Sequence, residues 1–149
     1  LVGHSERRQY FNEKSDVIKL KSINLIENNI IPVICIGETL EEKEKNITKD
    51  ILKYQIENSV PDISNFKNTI IAYEPIWAIG SGLTPTLEDI DEVHTFIKEI
   101  NKKFNQYKVL YGGSVKASNS RDINMIKNVD GCLVGGASLK VEEFNSIIS

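Results

Sequence analysis

Thr69-Ile70-Ile71-Ala72-Tyr73-Glu74-Pro75-Ile76-Trp77 is a short β-branched run that ends abruptly on an acid and a proline. Such a run reads as a strand covered on both faces, as in a parallel sheet wrapped by helices, and Pro75 cannot continue its ladder. Glu74 is thereby placed at a strand tip. Working outward, similar apolar runs recur at a spacing of roughly 30 residues, the signature of βα units. They are Leu1-Val2, Ile30 to Ile36, Val109 to Tyr111 and Cys132 to Val134, which with Thr69 to Tyr73 makes five strand candidates.

The stretches between them carry helical periodicity. Ile90, Val93, Ile97, Ile100 and Phe104 step by three and four, so a helix is expected over Thr86 to Phe104. Thr86-Leu-Glu-Asp89 resembles a capping box with Asp in the usual Glu place. Thr39-Leu-Glu-Glu42 is a full one, expected to open the helix that carries Ile47, Ile51 and Leu52. Weaker helices are expected over Asp16 to Glu27, Ser120 to Lys127 and Val141 to Ile148. No linker or low-complexity run divides the chain, and 149 residues is an ordinary domain length, so residues 1–149 are expected to form a single domain.

Composition removes several classes. With 40% hydrophobic and 26% charged residues the chain is neither disordered nor fibrous. No stretch reaches the ~18 to 20 apolar residues of a membrane span, and Leu-Val-Gly-His-Ser-Glu-Arg-Arg lacks a signal-peptide shape. Cys35 and Cys132 sit in apolar runs and read as small core residues in a reducing compartment, so a cytoplasmic location is expected. The net charge of −3 offers no field for nucleic acid or a membrane surface, and neither is expected as a partner. An anionic ligand would need a local device.

Such a device is legible at the strand ends. The segments that follow the five runs are Gly3-His4-Ser5-Glu6, Gly37-Glu38-Thr39, Glu74-Pro75-Ile76-Trp77, Gly112-Gly113-Ser114 and Gly135-Gly136-Ala137-Ser138, all polar or Gly-rich. A site built from βα loops at the carboxyl ends of parallel strands requires this. Glu74, backed by apolar Ile76 to Ile79, is suited to proton transfer, although a solvated loop carboxylate is the plain alternative. His4 lies in a turn with Glu6, Arg7 and Arg8 that also reads as a salt-bridge cluster. His94, mid-helix, reads as a surface residue. The turns at Gly80-Ser81-Gly82, Gly112-Gly113-Ser114 and Gly135-Gly136 together look like a phosphate cradle of bare amides. Pro75 to Pro85 reads either as a buried apolar turn or as a lid closing Ile76, Trp77, Ala78 and Ile79 over a ligand. One imidazole and scattered acids lack zinc spacing, so no metal is expected.

Five motifs in order make a resemblance: Gly-His-Ser-Glu-Arg-Arg-Gln-Tyr-Phe (3 to 11), Val-Ile-Cys-Ile-Gly-Glu (33 to 38), Ala-Tyr-Glu-Pro-Ile-Trp-Ala-Ile-Gly-Ser-Gly (72 to 82), Tyr-Gly-Gly-Ser-Val (111 to 115) and Gly-Gly-Ala-Ser-Leu (135 to 139). Across its whole length the chain resembles the triosephosphate isomerase family. The resemblance implies an α/β fold, a partial TIM (β/α)8 barrel of about five parallel units running from the fourth strand to the eighth helix. It implies a cofactor-free aldose–ketose isomerase of glycolysis and gluconeogenesis, interconverting dihydroxyacetone phosphate and D-glyceraldehyde 3-phosphate through an enediolate. On the matching positions Glu74 is the base, His4 the neutral electrophile and Glu6 a supporting acid, a division of roles for which this family is itself a long-described example. Gly80, Ser114, Gly135 and Gly136 match phosphate-binding positions, Pro75 to Pro85 the closing loop, and Ser5 and Glu38 positions that support the open site.

Departures accompany the match. Family barrels have eight units in ~250 residues, whereas five are legible in these 149. The first-strand Asn and Lys that orient substrate fall outside them, as does the third loop through which full-length members form a homodimer. Lys116 and Lys140 lie in loops, and no motif places either at the missing position. In the closing loop Ser81 stands where Thr is common. The Leu start and the missing units point to a partial sequence or truncated gene, expected to show weak or no activity alone. The alternative reading is a non-catalytic phosphate-binding remnant or the complementing half of a split barrel.

Overall fold

The computed structural model describes residues 1–80 and 83–149; Ser81 and Gly82 of the first glycine turn lie outside the described residues. Strands β1 (Val33–Ile36), β2 (Ile70–Tyr73) and β3 (Lys108–Tyr111) form a parallel sheet in that order. Cys35 stands opposite Ala72, and Ile71 opposite Val109. All four are fully buried. Both faces of the sheet are therefore covered, as the unbroken apolar runs require.

The two outer runs are reduced to single bridges, Val2 with Ile34 and Tyr111 with Cys132, where strands were expected. Cys35 N–H donates to Val2 O at 2.9 Å, and Leu133 N–H to Tyr111 O at 2.8 Å. Each outer segment has a neighbour on one side only, so half of its backbone has no ladder to join. The order is nonetheless that of five successive parallel positions. β1 is also shorter than Ile30 to Ile36. Asn29 turns the chain with φ 60, Ile30 and Ile31 are exposed, and Pro32 brings no N–H to the ladder.

Helices α1 (Ser5–Phe11) and α2 (Ser15–Glu27) connect Val2 to β1. α3 (Leu40–Glu44) and α4 (Thr48–Ser59) connect β1 to β2, and α5 (Leu87–Glu99) connects β2 to β3; α6 (Ser120–Asn124) and α7 (Val141–Ile148) follow. Both capping boxes form, at Thr39 with Glu42 and at Thr86 with Asp89. The Thr39 box does not open the helix bearing Ile47 and Ile51, however. Asn46 at φ 56 ends α3, and α4 starts afresh. α5 stops at Glu99, and Phe104, still buried, begins a separate 3-10 turn, so the expected helix to Phe104 is five residues too long. α6 likewise closes at Asn124, short of Lys127.

The core lies between sheet and helices, with Ile34, Ile36, Ile71 and Val109 meeting Ile18, Leu52, Ile56 and Ile97. His94 is part of this layer and not of the surface, contrary to expectation. It lies four residues after Ile90 and three before Ile97, on the apolar stripe of α5, with its ring edge-on to Tyr73 at 5.9 Å. Among the described residues no helix is long and apolar enough to cross a membrane.

Candidate active site

Glu74 leaves β2 at the carboxyl end of the sheet, and its backbone is held there by its neighbours. Its N–H donates to Ile36 O at 2.7 Å, and Gly112 N–H donates to Tyr73 O at 2.7 Å. Two glycines make this approach possible. A Cβ on Gly37 would stand 1.8 Å from Glu74 O, and one on Gly112 would stand 2.9 Å from Glu74 Cγ. The carboxylate is 2% exposed. Oε2 accepts the Ser5 N–H at 3.4 Å, and the buried Cys35 thiol is among the groups that favour the ionised carboxylate. Burial raises its proton affinity above the ordinary carboxylate value, against the opposing pull of His4, Ser5, Cys35 and Arg8.

His4 sits at the N-cap of α1, where Nδ1 accepts the Glu6 N–H at 3.3 Å. That bond leaves the proton of a neutral ring on Nε2. Nε2 lies 3.4 Å from Glu74 Oε1. The imidazole and the carboxylate therefore face each other. Beneath them Arg8 locks the turn, donating to Gly3 O at 3.0 Å and to Cys35 O at 3.1 Å. Arg7 pairs with buried Glu13 rather than with Glu6. Glu6 is exposed, contributes its N–H to His4, and does not line the cavity described next.

Both facing groups line a cavity of about 590 Å³, within the range of small-molecule sites. Its wall includes Gly80, Gly112, Gly113, Ser114, Gly135 and Gly136. Gly80 and the glycine turns at 112–114 and 135–136 thus converge on one space. At Gly80, Gly135 and Gly136 nothing lies within 4 Å of where a Cβ would be, so open room adjoins their backbone. Lys116 and Lys140 also line this cavity. Among the described residues no cluster of His, Cys, Asp and Glu could hold a metal ion.

Of the expected lid, Ile79 and Gly80 reach the cavity. Ile76–Ala78 forms a 3-10 turn after Pro75, and Ala78 O accepts the Ser114 hydroxyl at 2.6 Å. Trp77 turns instead to Glu38, donating Nε1–H to Oε1 at 2.8 Å, where the Tyr73 hydroxyl also donates at 3.1 Å. Burial raises the Glu38 proton affinity, and these two donors oppose the shift. Sequence reading missed Cys35 and Glu13 as supports of the site and gave Arg7 and Arg8 only as a cluster with Glu6. The run Glu6-Arg7-Arg8 and the acid at 13 were visible, but which of them pair was not.

A carboxylate of raised basicity facing an imidazole N–H can move a proton from carbon while polarising an adjacent oxygen. The fold and site thus define a parallel βα protein whose chemistry lies at the carboxyl ends of its strands. The family model described as triosephosphate isomerase matches residues 1–149, and the chain belongs to the triosephosphate isomerase family. It is 45% identical to a triosephosphate isomerase of Rhizobium meliloti over 99% of this chain and 59% of that protein. With the enzyme of Mesomycoplasma hyorhinis it shares 47% over 100% of this chain and 60% of the other. The crystal structure of triosephosphate isomerase from Bartonella henselae superposes with a TM-score of 0.90 at 39% identity, covering 99% of this chain and 61% of that one. The 149 residues are a partial (β/α)8 barrel, spanning about 60% of the length of the relatives they match.

Proposed function

We propose that this chain carries the proton-transfer half of a triosephosphate isomerase, acting on dihydroxyacetone phosphate and D-glyceraldehyde 3-phosphate. The observation that carries the reading is that His4 Nε2 and Glu74 Oε1, 3.4 Å apart, share one cavity with Gly80 and the glycine turns at 112–114 and 135–136. Glu74 takes a proton from the carbon beside the carbonyl. The His4 N–H donates to the oxygen on which charge develops, and the enediolate collapses as Glu74 returns the proton to the neighbouring carbon. Hydrogen is redistributed within one molecule with no net oxidation, so the step requires neither metal nor redox cofactor.

Gly80, Ser114, Gly135 and Gly136 hold the phosphate through backbone N–H groups, the last two at the start of the 3-10 turn Gly136–Leu139. Pro75 to Ile79 form the lid segment, and water exclusion beneath it protects the enediolate from losing its phosphate. Glu6 supports His4 through the turn they share. Residues 1–149 act as one domain, and the full-length form as a homodimer in the cytoplasm. Solvent-hydrogen exchange into dihydroxyacetone phosphate tests the chemistry, using the chain alone and mixed with the first three βα units of a relative. Exchange that disappears in Glu74→Gln supports the reading, and exchange indifferent to that change overturns it.

A further inference from the structure

A second cavity, of about 310 Å³, lies where α3, α4 and α5 meet the lid turn, and Glu38, Lys43, Trp77 and Asp89 are among its lining residues. Lys43, near the end of α3, is the link between its parts. Its ammonium sits 3.7 Å from the centroid of the Trp77 ring, the aromatic side chain that attracts a cation best. The edge of the same indole is already committed to Glu38. Lys43 Nζ is also 3.5 Å from Asp89 Oδ2, the oxygen that accepts the Thr86 N–H at 3.3 Å in the capping box of α5.

Trp77 belongs to the first part of the Pro75 to Pro85 segment, and Thr86 immediately follows its last residue. One ammonium therefore touches Trp77 near the start of that segment and the Asp89 carboxylate that caps the helix following its end. We propose that Lys43 is a positioning residue for the lid, holding Trp77 by its ring face and bracing it against Asp89 so that the segment is anchored from both sides. The inference deepens the lid assignment above and rests on it for its functional meaning, while the brace itself is a matter of geometry.

Trp77 is the only tryptophan in the chain, so its emission and acrylamide quenching report on this position alone. Lys43→Met keeps the aliphatic stem and removes the charge. It is expected to raise the quenching constant of Trp77 two- to fivefold, the scale of a partly exposed cation–π contact. Lys43→Arg restores a cation over the ring and returns quenching to the wild-type value. Asp89→Asn raises quenching in the same direction, by less than Lys43→Met. Far-UV circular dichroism of each variant shows that the fold is kept. Quenching unchanged in Lys43→Met, or raised in Lys43→Arg as much as in Lys43→Met, overturns the proposal. Quenching unchanged in Asp89→Asn overturns the brace. The readout needs no substrate, so its failure is distinct from failure of the isomerase reading, which the solvent-exchange experiment on Glu74→Gln decides.

Discussion

His4 Nε2, at the first strand position of the sheet, lies 3.4 Å from Glu74 Oε1 at the third, while its other nitrogen is occupied by the Glu6 N–H. The Glu6 bond occupies Nδ1, so Nε2 is the ring nitrogen left for a ligand. His4→Asn retains a side chain able to cap α1 and removes the Nε2 donor. In the isomerase assembly it should lower kcat about 10²- to 10³-fold, as loss of an oxyanion donor does, with α1 intact by circular dichroism. Unchanged kcat would remove His4 from the mechanism.

Burial of Glu74 fixes the direction of a pH effect. The base must be ionised to act, and burial holds the Glu74 proton affinity above that of an ordinary carboxylate. Activity should therefore fall on the acid side through a pKa above the usual glutamate value of about 4.3. Cys35→Ala removes a thiol that favours the ionised form, so the acid limb of kcat/KM should move to higher pH. A limb that stays in place shows that the thiol does not act on the base.

Gly37 and Gly112 separate stability from catalysis. In Gly112→Ala the new methyl meets Glu74 Cγ at 2.9 Å and the Tyr73 carbonyl oxygen at 3.3 Å, so the carboxylate shifts while the backbone yields only slightly. A loss of about 10²-fold in kcat with little change in the urea midpoint is expected. In Gly37→Ala the methyl meets the Glu74 carbonyl oxygen at 1.8 Å, where only backbone can yield. That variant should lose about 3 kcal/mol of stability by urea titration.

His94 makes the fold acid-sensitive. Its ring is fully buried, Nδ1 lies 3.2 Å from Asn128 O, and burial lowers its pKa from 6.5 to about 4 despite nearby Asp130. Between those values the unfolded chain binds a proton that the folded chain refuses, so stability rises with pH across this window. Falling from pH 7 to 4 should remove about 3 kcal/mol, lost progressively below 6.5. His94→Gln should flatten this slope whatever its effect at pH 7, and an unaltered slope would assign the acid sensitivity elsewhere.

The outer bridges at Val2 and Cys132 leave half of each segment's backbone groups unpaired at the edges of the sheet. The 149-residue chain alone should show little isomerase activity, and a separately produced polypeptide carrying the first three βα units of a relative should restore part of it. Equal rates with and without that polypeptide would contradict this expectation.

What was legible in the sequence was local. Both capping boxes, the start of α5 at Leu87 and the whole of α7 follow from residues within a few positions of one another. Element lengths were less so. Asn46 ends α3 in a left-handed conformation that an asparagine adopts only where its surroundings require a turn. His94 was misread because a polar ring on an apolar stripe has two readings, and the spacing from Ile90 and to Ile97, which carried the answer, was outweighed by residue type.

The amino-acid order alone determined that this chain is built of parallel βα units, that Glu74 ends a strand beside a proline, and that glycine turns follow successive strands, because period, ladder-breaking and turn chemistry act over a few residues. Only the tertiary structure decided that Arg7 turns to Glu13 and Arg8 to the Gly3 and Cys35 carbonyls, that Cys35 addresses the base, and that Trp77 lies between Glu38 and Lys43. Those partners are far apart along the chain. What brings them within reach is burial of the sheet's two faces, which exerts no preference on any single residue until the helices have packed.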